Sequence, residues 1–187
     1  MDPDLPLIES LQAGDDSALD ELIRRHREPL LHFVFRYVRD ETVAREVVQE
    51  TFVRVFFKAK QFEPRSSVKT WIYAIAVNLC RDQNRKLLKR HHEVSLNAPG
   101  PRDQPPLELA DSGALPDDQA GQRDHFALLQ GAIDKLPHKL KAALVLFALE
   151  GKSQQEAADI LGTTPKTVET RVYHAKEKLR RLLGEMR

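Results

Sequence analysis

The sequence of 187 residues predicts an all-α protein: two small helical domains joined by a flexible linker. Apolar residues recur at three- and four-residue steps in several segments, as they do on helices with one buried face. No segment alternates Val, Ile or Thr with polar residues between turn residues, which a half-buried strand would show. Residues 93–124 hold five of the eleven prolines and predict an extended tether. We therefore place the domains at 1–92 and 125–187.

Four apolar stripes predict the N-terminal helical bundle. The first comprises Leu19, Leu22 and Ile23, and the second follows Pro29, a residue that can begin or bend a helix. Each stripe would bury one helix face in a shared core. The last three stripes are Leu30, Leu31, Val34 and Val38; then Ala44, Val47, Val48, Phe52, Val55 and Phe56; then Val68, Trp71, Ile72, Ile75, Ala76 and Leu79.

The C-terminal domain shows helix boundaries as well as stripes. Ser153 and Glu156 have the spacing of a capping box, which predicts a short helix that ends at Gly162. Thr164 can cap the last helix, with Pro165 in its first turn. Pro137 and Gly151 predict the ends of two earlier helices. The stripes are Phe126, Leu129, Ile133 and Leu136; then Leu140, Ala143, Leu144 and Phe147; then Val168, Val172, Ala175, Leu179 and Leu182.

Composition excludes several classes of protein. Hydrophobic residues make up 41% and charged residues 30%, which is typical of a globular chain. No apolar run approaches the roughly 20 residues that cross a bilayer, and the acidic start is unlike a secretory signal, so we expect a cytoplasmic protein. The single cysteine, Cys80, is expected in the core. No spacing suggests a metal or nucleotide cofactor, and no catalytic motif is present, so we expect no enzyme.

The net charge of +1 conceals a strong segregation along the chain. Residues 1–22 carry −7, residues 23–92 carry +9, residues 93–124 carry −5 and residues 125–187 carry +4. Two basic blocks separated by an acidic spacer favour two surfaces for a polyanion such as nucleic acid.

The C-terminal pattern of a short capped helix, a glycine turn and a longer helix is typical of a helix-turn-helix, whose second helix enters the major groove. Arginine can bridge guanine O6 and N7, threonine can contact a base, and lysine can neutralise phosphate. Glu169 would repel phosphate unless it pairs with a cation or accepts a hydrogen bond from cytosine. The polar face of the last helix carries Lys166, Thr167, Thr170, Arg171, Tyr173, His174, Lys176 and Lys178.

A second nucleic-acid surface is predicted in the N-terminal domain, where aromatic residues alternate with cations. Unstacked bases offer a π-face to aromatic rings, and their phosphates require positive charge. Trp71 also fits an ordinary core position, and that alternative stays open here. The residues are Phe62, Arg65, Lys69, Trp71, Tyr73, Asn78, Arg81, Arg85 and Lys86.

Three stretches together resemble the extracytoplasmic-function (ECF) sigma factors of bacterial RNA polymerase, in the sigma-70 family. They are EVVQETFVRVF at 46–56, KTWIYAIAVNLCRDQNR at 69–85, and LPHKLKAALVLFALEGKSQQEAADILGTTPKTVETRVYHAKEKLR at 136–180. The resemblance covers both domains in order. It implies that 1–92 is sigma region 2, which docks core polymerase and melts the −10 element, and that 125–187 is region 4, which reads the −35 element.

The resemblance also implies residue roles. Glu46, Gln49 and Glu50 match the docking surface for the coiled coil of the largest polymerase subunit. The loop from Gln61 to Val68, with Phe62 at its start, matches the loop that captures a base flipped from the −10 element. Asn78 matches a residue of that pocket. The −10 contacts continue through Arg81, Arg85, Lys86, Lys89 and Arg90, and the −35 contacts are Thr167, Thr170, Arg171, Tyr173, His174 and Lys176.

Two positions depart from the family pattern. Glu169 and His174 stand where relatives often carry arginine, so a relative's −35 preference does not transfer. The implied partners are core RNA polymerase, through its largest-subunit coiled coil and its flap, promoter DNA and an anti-sigma factor. The alternative is a helix-turn-helix regulator with a sensory or dimerising N-terminal bundle, which would bind duplex DNA without polymerase.

Overall fold

The computed structural model describes residues 2–97 and 128–185, with side-chain surroundings for 2–85 and 128–185. Every regular element within these ranges is a helix, which confirms the predicted all-α class. None of the described helices has the length and apolarity needed to cross a membrane. The tether predicted at 93–124 lies outside the described residues apart from its first five, and so does Phe126.

The N-terminal lobe is a bundle of four helices. They are α1 (Leu5–Gln12), α2 (Ser17–Val38), α3 (Glu41–Lys58) and α4 (Val68–Asn97), with a 3₁₀ turn at Ala59–Gln61. Arg39 adopts a left-handed φ of 66° after α2. The side chain of Asp40 then accepts from the backbone N–H of Val43 at 2.9 Å, which caps α3 and makes a tight hairpin.

Pro29 lies inside helix α2 and does not begin a new helix, which excludes one of the two roles that the sequence left open for it. The two stripes expected on either side of this proline lie on one continuous helix of 22 residues. Pro29 is on the exposed face, where water can bond the carbonyl that its ring leaves without a helical partner. Leu22 and Leu30 are fully buried on the opposite face, and their burial holds the helix together across the proline.

Helix α4 extends beyond the predicted boundary at residue 92 and reaches Asn97. No proline or glycine occurs between Val68 and Asn97, and the first proline after them is Pro99. A residue that precedes proline is disfavoured in the α conformation, so the helix has a sequence reason to end before Pro99 and none to end at 92.

The C-terminal lobe confirms the predicted helix boundaries. Residues 128–134 form α5, followed by α6 (His138–Leu144), which continues as a π-helical segment at Val145–Leu149. The capping box joins Ser153 and Glu156 at the start of α7 (Gln154–Leu161), and Gly162 ends it with a φ of +57°. Helix α8 (Pro165–Glu185) begins where Thr164 Oγ1 accepts from the N–H of Thr167 at 3.2 Å.

The two lobes pack against each other. One continuous cluster of buried apolar side chains draws on both of them, with α4 against α7 and α2 against the π-helical segment. At its edge the Arg36 guanidinium donates to the carbonyl of Leu149 and, at 2.9 Å, to the carboxylate of Glu150. The structure is therefore a closed arrangement of the two lobes.

Candidate nucleic-acid interface

The polar face of α3 carries the three residues predicted to dock polymerase. Glu46, Gln49 and Glu50 are all exposed, while Val47 and Val48 on the other side of the helix are buried. Glu50 accepts from Arg54 Nε at 2.8 Å. Because all three side chains are exposed, a partner can contact them without disturbing the core.

An apolar groove lies beside this face, between α2 and α3. Its volume is about 570 Å³, and it is lined by Leu19, Ile23, Leu31, Val48, Phe52, Val53, Phe56 and Phe57, with Arg27, Arg45 and Gln49 also in its wall. Val53 and Phe57 are 42% and 74% exposed, respectively. The groove thus exposes apolar side chains beside the polar face of α3, and sequence periodicity did not reveal it.

The loop between α3 and α4 carries an aromatic pair. The rings of Phe62 and Trp71 lie 5.0 Å apart, with Phe62 buried and Trp71 half-buried. Both border an open depression of about 410 Å³ together with Arg65 and Ser66. An aromatic wall beside an arginine can accept a planar base and its phosphate.

The other residues predicted to contact the −10 element are more dispersed. Asn78 is exposed but lies two turns along α4 from Trp71, about 10 Å away by helical rise, and it borders a different cleft. Tyr73 is 1% exposed, packs on Phe33 and lies under the Lys152 ammonium of the other lobe. The structure therefore does not gather Asn78 and Tyr73 with the aromatic pair.

The predicted cations of this lobe are exposed along α4 and the loop before it. Lys69, Arg81 and Arg85 lie at the surface, and both arginines are near Asp82, at 3.6 and 3.9 Å. Lys86 is on α4 beyond the residues whose side chains are described. These positions give the helix a basic edge.

Helices α7 and α8 form the expected helix-turn-helix, and α8 presents its polar face. Lys166, Thr170, His174 and Lys176 are exposed, and Tyr173 is 60% exposed; Thr167 and Arg171 are half-buried. Glu169 pairs with Lys166 at 2.9 Å, which offsets the repulsion that its carboxylate would otherwise exert on phosphate.

A cleft of about 380 Å³ between the lobes holds residues predicted for both DNA surfaces. Asn78 and Arg81 approach it from α4, and Arg171 approaches it from α8. In this arrangement the half-buried Arg171 faces the N-terminal lobe. The predicted −10 and −35 surfaces therefore cover each other in part.

Polar contacts that no sequence pattern predicts hold this cleft closed. The Tyr37 hydroxyl, whose pKa is raised by burial, forms a hydrogen bond with Nδ1 of His138. Burial, with the nearby cations Arg81 and Arg171, lowers the pKa of His138 to about 4, so its ring is neutral and can accept. Lys141, 2% exposed, bonds Asp134 at 2.7 Å and lies 4.9 Å from the Tyr37 ring centre.

Two further features concern ionisable groups. Cys80 is fully buried, as expected, and burial raises its thiol pKa to about 12. Among the residues that the structure describes, no group of three or more His, Cys, Asp or Glu side chains is arranged to hold a metal ion.

Comparison with known families matches both lobes in chain order. Residues 22–90 match the family described as Sigma-70 region 2, and residues 126–179 match Sigma-70, region 4.

Individual relatives extend the match over most of the chain. The RNA polymerase sigma factor CnrH of Cupriavidus metallidurans is 32% identical, covering 97% of this chain and 95% of its own. The ECF RNA polymerase sigma factor SigE of Mycolicibacterium smegmatis is 30% identical over 92% of this chain, which spans only 65% of that relative. The solved structure of CnrH in complex with the cytosolic domain of CnrY is 26% identical, with a TM-score of 0.64 over 97% of both chains.

Proposed function

Since the chain belongs to the ECF sigma factors of the sigma-70 family, we propose that its two lobes divide promoter recognition between them. Region 2, placed in 1–92, docks core polymerase and captures the melted −10 element, while region 4, placed in 125–187, reads the −35 element as duplex. The observation that carries the proposal is that both regions occur in order in one chain, each with its own exposed polar surface.

The polymerase is proposed to dock on α3. Glu46, Gln49 and Glu50 offer a polar face, and the adjoining apolar groove offers surface that docking would remove from water. Such a combination of an apolar centre and a polar rim is typical of protein interfaces. The coiled coil of the largest polymerase subunit is the proposed occupant, and the flap is the proposed contact of region 4.

Capture of the −10 element is assigned to the Phe62–Trp71 depression and to the basic edge of α4. Extruding a base from a duplex costs a few kcal/mol, and a pocket that binds the base offsets that cost while reading its identity. Arg65, Lys69, Arg81 and Arg85 would hold the adjacent phosphates, with Lys86 further along α4.

Recognition of the −35 element is assigned to α8. Its exposed Thr170, His174 and Lys176 and its half-buried Arg171 lie on the second helix of the helix-turn-helix, the one that enters the major groove in that motif. Lys166 and Tyr173 flank them.

Promoter binding then requires the lobes to separate, since Arg171 and Arg81 border one cleft in the closed arrangement. An anti-sigma factor that stabilises this arrangement, or covers α3, would keep the factor inactive. The similar CnrH structure contains the cytosolic domain of CnrY, which supports such a partner here. All these activities belong in the cytoplasm, where bacterial polymerase acts.

The test is transcription from a matched promoter with core polymerase, using Glu50→Lys as the variant. Reversing this charge should weaken core binding at least about fivefold without unfolding α3, because the side chain is exposed and lies on the proposed interface.

Glu41→Lys is the matched control. Glu41 pairs with Arg45 in the same way as Glu50 pairs with Arg54. It lies nine residues before Glu50, on the opposite side of α3. If Glu50→Lys binds core normally, α3 is not the docking surface. If the protein binds duplex DNA specifically without core polymerase and does not direct transcription from the promoter, the helix-turn-helix regulator is the better assignment.

A further inference from the structure

We propose that the N-terminal segment, residues 2–12, is a clamp that positions the base-capturing loop and so sets discrimination at the −10 element. Gln12 and Asp2 are its positioning residues. The inference rests on the proposed role of the Phe62 loop. It adds residues that lie before the matched region 2, which begins at residue 22.

Gln12 holds the beginning of the loop. Its side-chain Nε2 donates to the carbonyl of Ala59 at 2.8 Å and to the carbonyl of Phe62 at 3.2 Å. One amide group, at the end of α1, thereby fixes the backbone of the residue whose ring borders the depression. The half-buried position of Gln12 strengthens these bonds, because water competes for them less than at an exposed site.

Asp2 holds the other end of the loop. Its Oδ2 accepts from the backbone N–H of Val68 at 2.6 Å, the first residue of α4. An N–H at the start of a helix has no helical partner, so this carboxylate acts as a cap supplied from a distant part of the chain. Both ends of 59–68 are therefore bonded to one segment.

The clamp is itself anchored to the body of the bundle. Asp2 Oδ1 accepts from the N–H of Asp4, a residue that is 4% exposed. The Asp4 carboxylate bonds His26 at 2.7 Å and Arg25 at 2.9 Å. Ile8 is fully buried in the core below α1. The loop is thus tied through α1 to the long helix α2.

The clamp supplies the polar contacts that reach the loop from outside it, while Phe62 and Val68 are also buried in the apolar core. Within the described side chains, its remaining hydrogen bonds and ion pairs are local, as between Arg65 and Glu63 and between Ser67 and Thr70. A pocket that must receive an extruded base loses affinity when it has to be ordered first. Preorganisation by Gln12 and Asp2 removes that cost.

The experiment uses the full chain with Gln12→Met, which keeps the length of the side chain but removes its donor. Asp2→Ala perturbs the opposite end of the loop, and Glu9→Ala, an exposed change on the same helix, is the control. Trp71 is the only tryptophan and packs on Phe62, so quenching of its fluorescence by acrylamide reports the loop directly. Transcription from promoters carrying each of the four bases at every −10 position measures discrimination.

Both clamp variants should raise Trp71 quenching and lower discrimination at one −10 position by at least about fivefold, since each variant removes two hydrogen bonds and the loss of one has roughly this effect. Binding to the −35 element should be unchanged. The proposal of a clamp is wrong if both variants show the quenching and the base discrimination of the wild-type protein. It is also wrong if the variants lose discrimination equally at the −10 and −35 elements. If the wild-type protein shows no preference at any −10 position, the proposed function of the loop fails, independently of the clamp.

Discussion

Arg171 and Lys178 should differ in what they contribute to −35 binding. Arg171 lies in the first two turns of α8, where a guanidinium can bridge the two acceptors of guanine, whereas Lys178 lies two turns further along. Arg171→Ala should cost about 1 to 3 kcal/mol and relax preference at one base pair, whereas Lys178→Ala should weaken binding to all sequences and reduce its salt dependence.

Binding of duplexes with each base pair substituted, at two salt concentrations, separates the two effects. The comparison is internal, because each variant serves as the control for the other. A loss of base preference in Lys178→Ala, with a uniform effect of Arg171→Ala, would mean that α8 is rotated in the groove relative to this assignment.

Each predicted site residue must face solvent in order to bind a partner, and helical periodicity predicts this exposure correctly for most of them. The exposure of Glu46, Gln49 and Glu50 follows from the apolar stripe on the other side of α3. Tyr73 shows the limit, because the other lobe, through Lys152, helps to cover it and no local pattern reveals that contact. The family resemblance links Asn78 and Phe62, but Asn78 on α4 and Phe62 in the loop before it border different depressions, so their shared pocket stays a prediction.

Among the helices, two glycines of the C-terminal lobe should differ in how their replacement by alanine changes the free energy of unfolding. Gly162 ends α7 with a φ of +57°, where an alanine Cβ is strained even though no atom lies within 4 Å. Gly162→Ala should therefore lower the free energy of unfolding by about 1 kcal/mol. Gly184, in the last turn of α8, has an ordinary φ and open space around it.

Gly184→Ala should accordingly be neutral or raise the free energy of unfolding by up to about 0.5 kcal/mol, because alanine favours the helix more than glycine does. Denaturant titration of both variants checks the pair. If the two substitutions lower the free energy of unfolding equally, the left-handed backbone conformation at Gly162 is not the cause of its loss of stability.

Helices with strong boundary signals were predicted well, and short or irregular ones were not. The capping box before α7 and the Thr164–Pro165 start of α8 are local chemistry, so the sequence alone reveals them. Helix α1 has only eight residues and two buried side chains, too few for a periodic pattern. The π-helical segment Val145–Leu149 has the composition of an ordinary helix, and its wider turn arises where it packs against α2.

For the whole molecule, the sequence predicted two lobes and a tether but not how the lobes meet. The contacts of Arg36 with Glu150 and of Tyr37 with His138 join residues more than 100 positions apart. Helical periodicity describes the face that a helix buries, not the partner that covers it. The assignment of domains to 1–92 and 125–187 stays a prediction, and the closed arrangement is a property of tertiary packing.

Arg36→Ala should shift the equilibrium from the closed arrangement towards separated lobes. The variant removes two hydrogen bonds between α2 and the π-helical segment, one of them to the carboxylate of Glu150. Because the arginine is about half exposed, we expect a modest shift, on the order of fivefold. Opening uncovers Arg171, so duplex −35 binding should increase by a similar factor.

Small-angle scattering and the reaction of Cys80 with a thiol reagent would detect the opening. Cys80 is the only cysteine, and it is fully buried in the closed arrangement within electrostatic reach of Lys141 of the other lobe. Arg24→Ala is the matched control, because that arginine is on the same helix but pairs within its own lobe, with Glu21. If Arg36→Ala matches Arg24→Ala in thiol reactivity, scattering and DNA affinity, this ion pair does not restrain opening, and closure depends on the apolar contacts between α4 and α7.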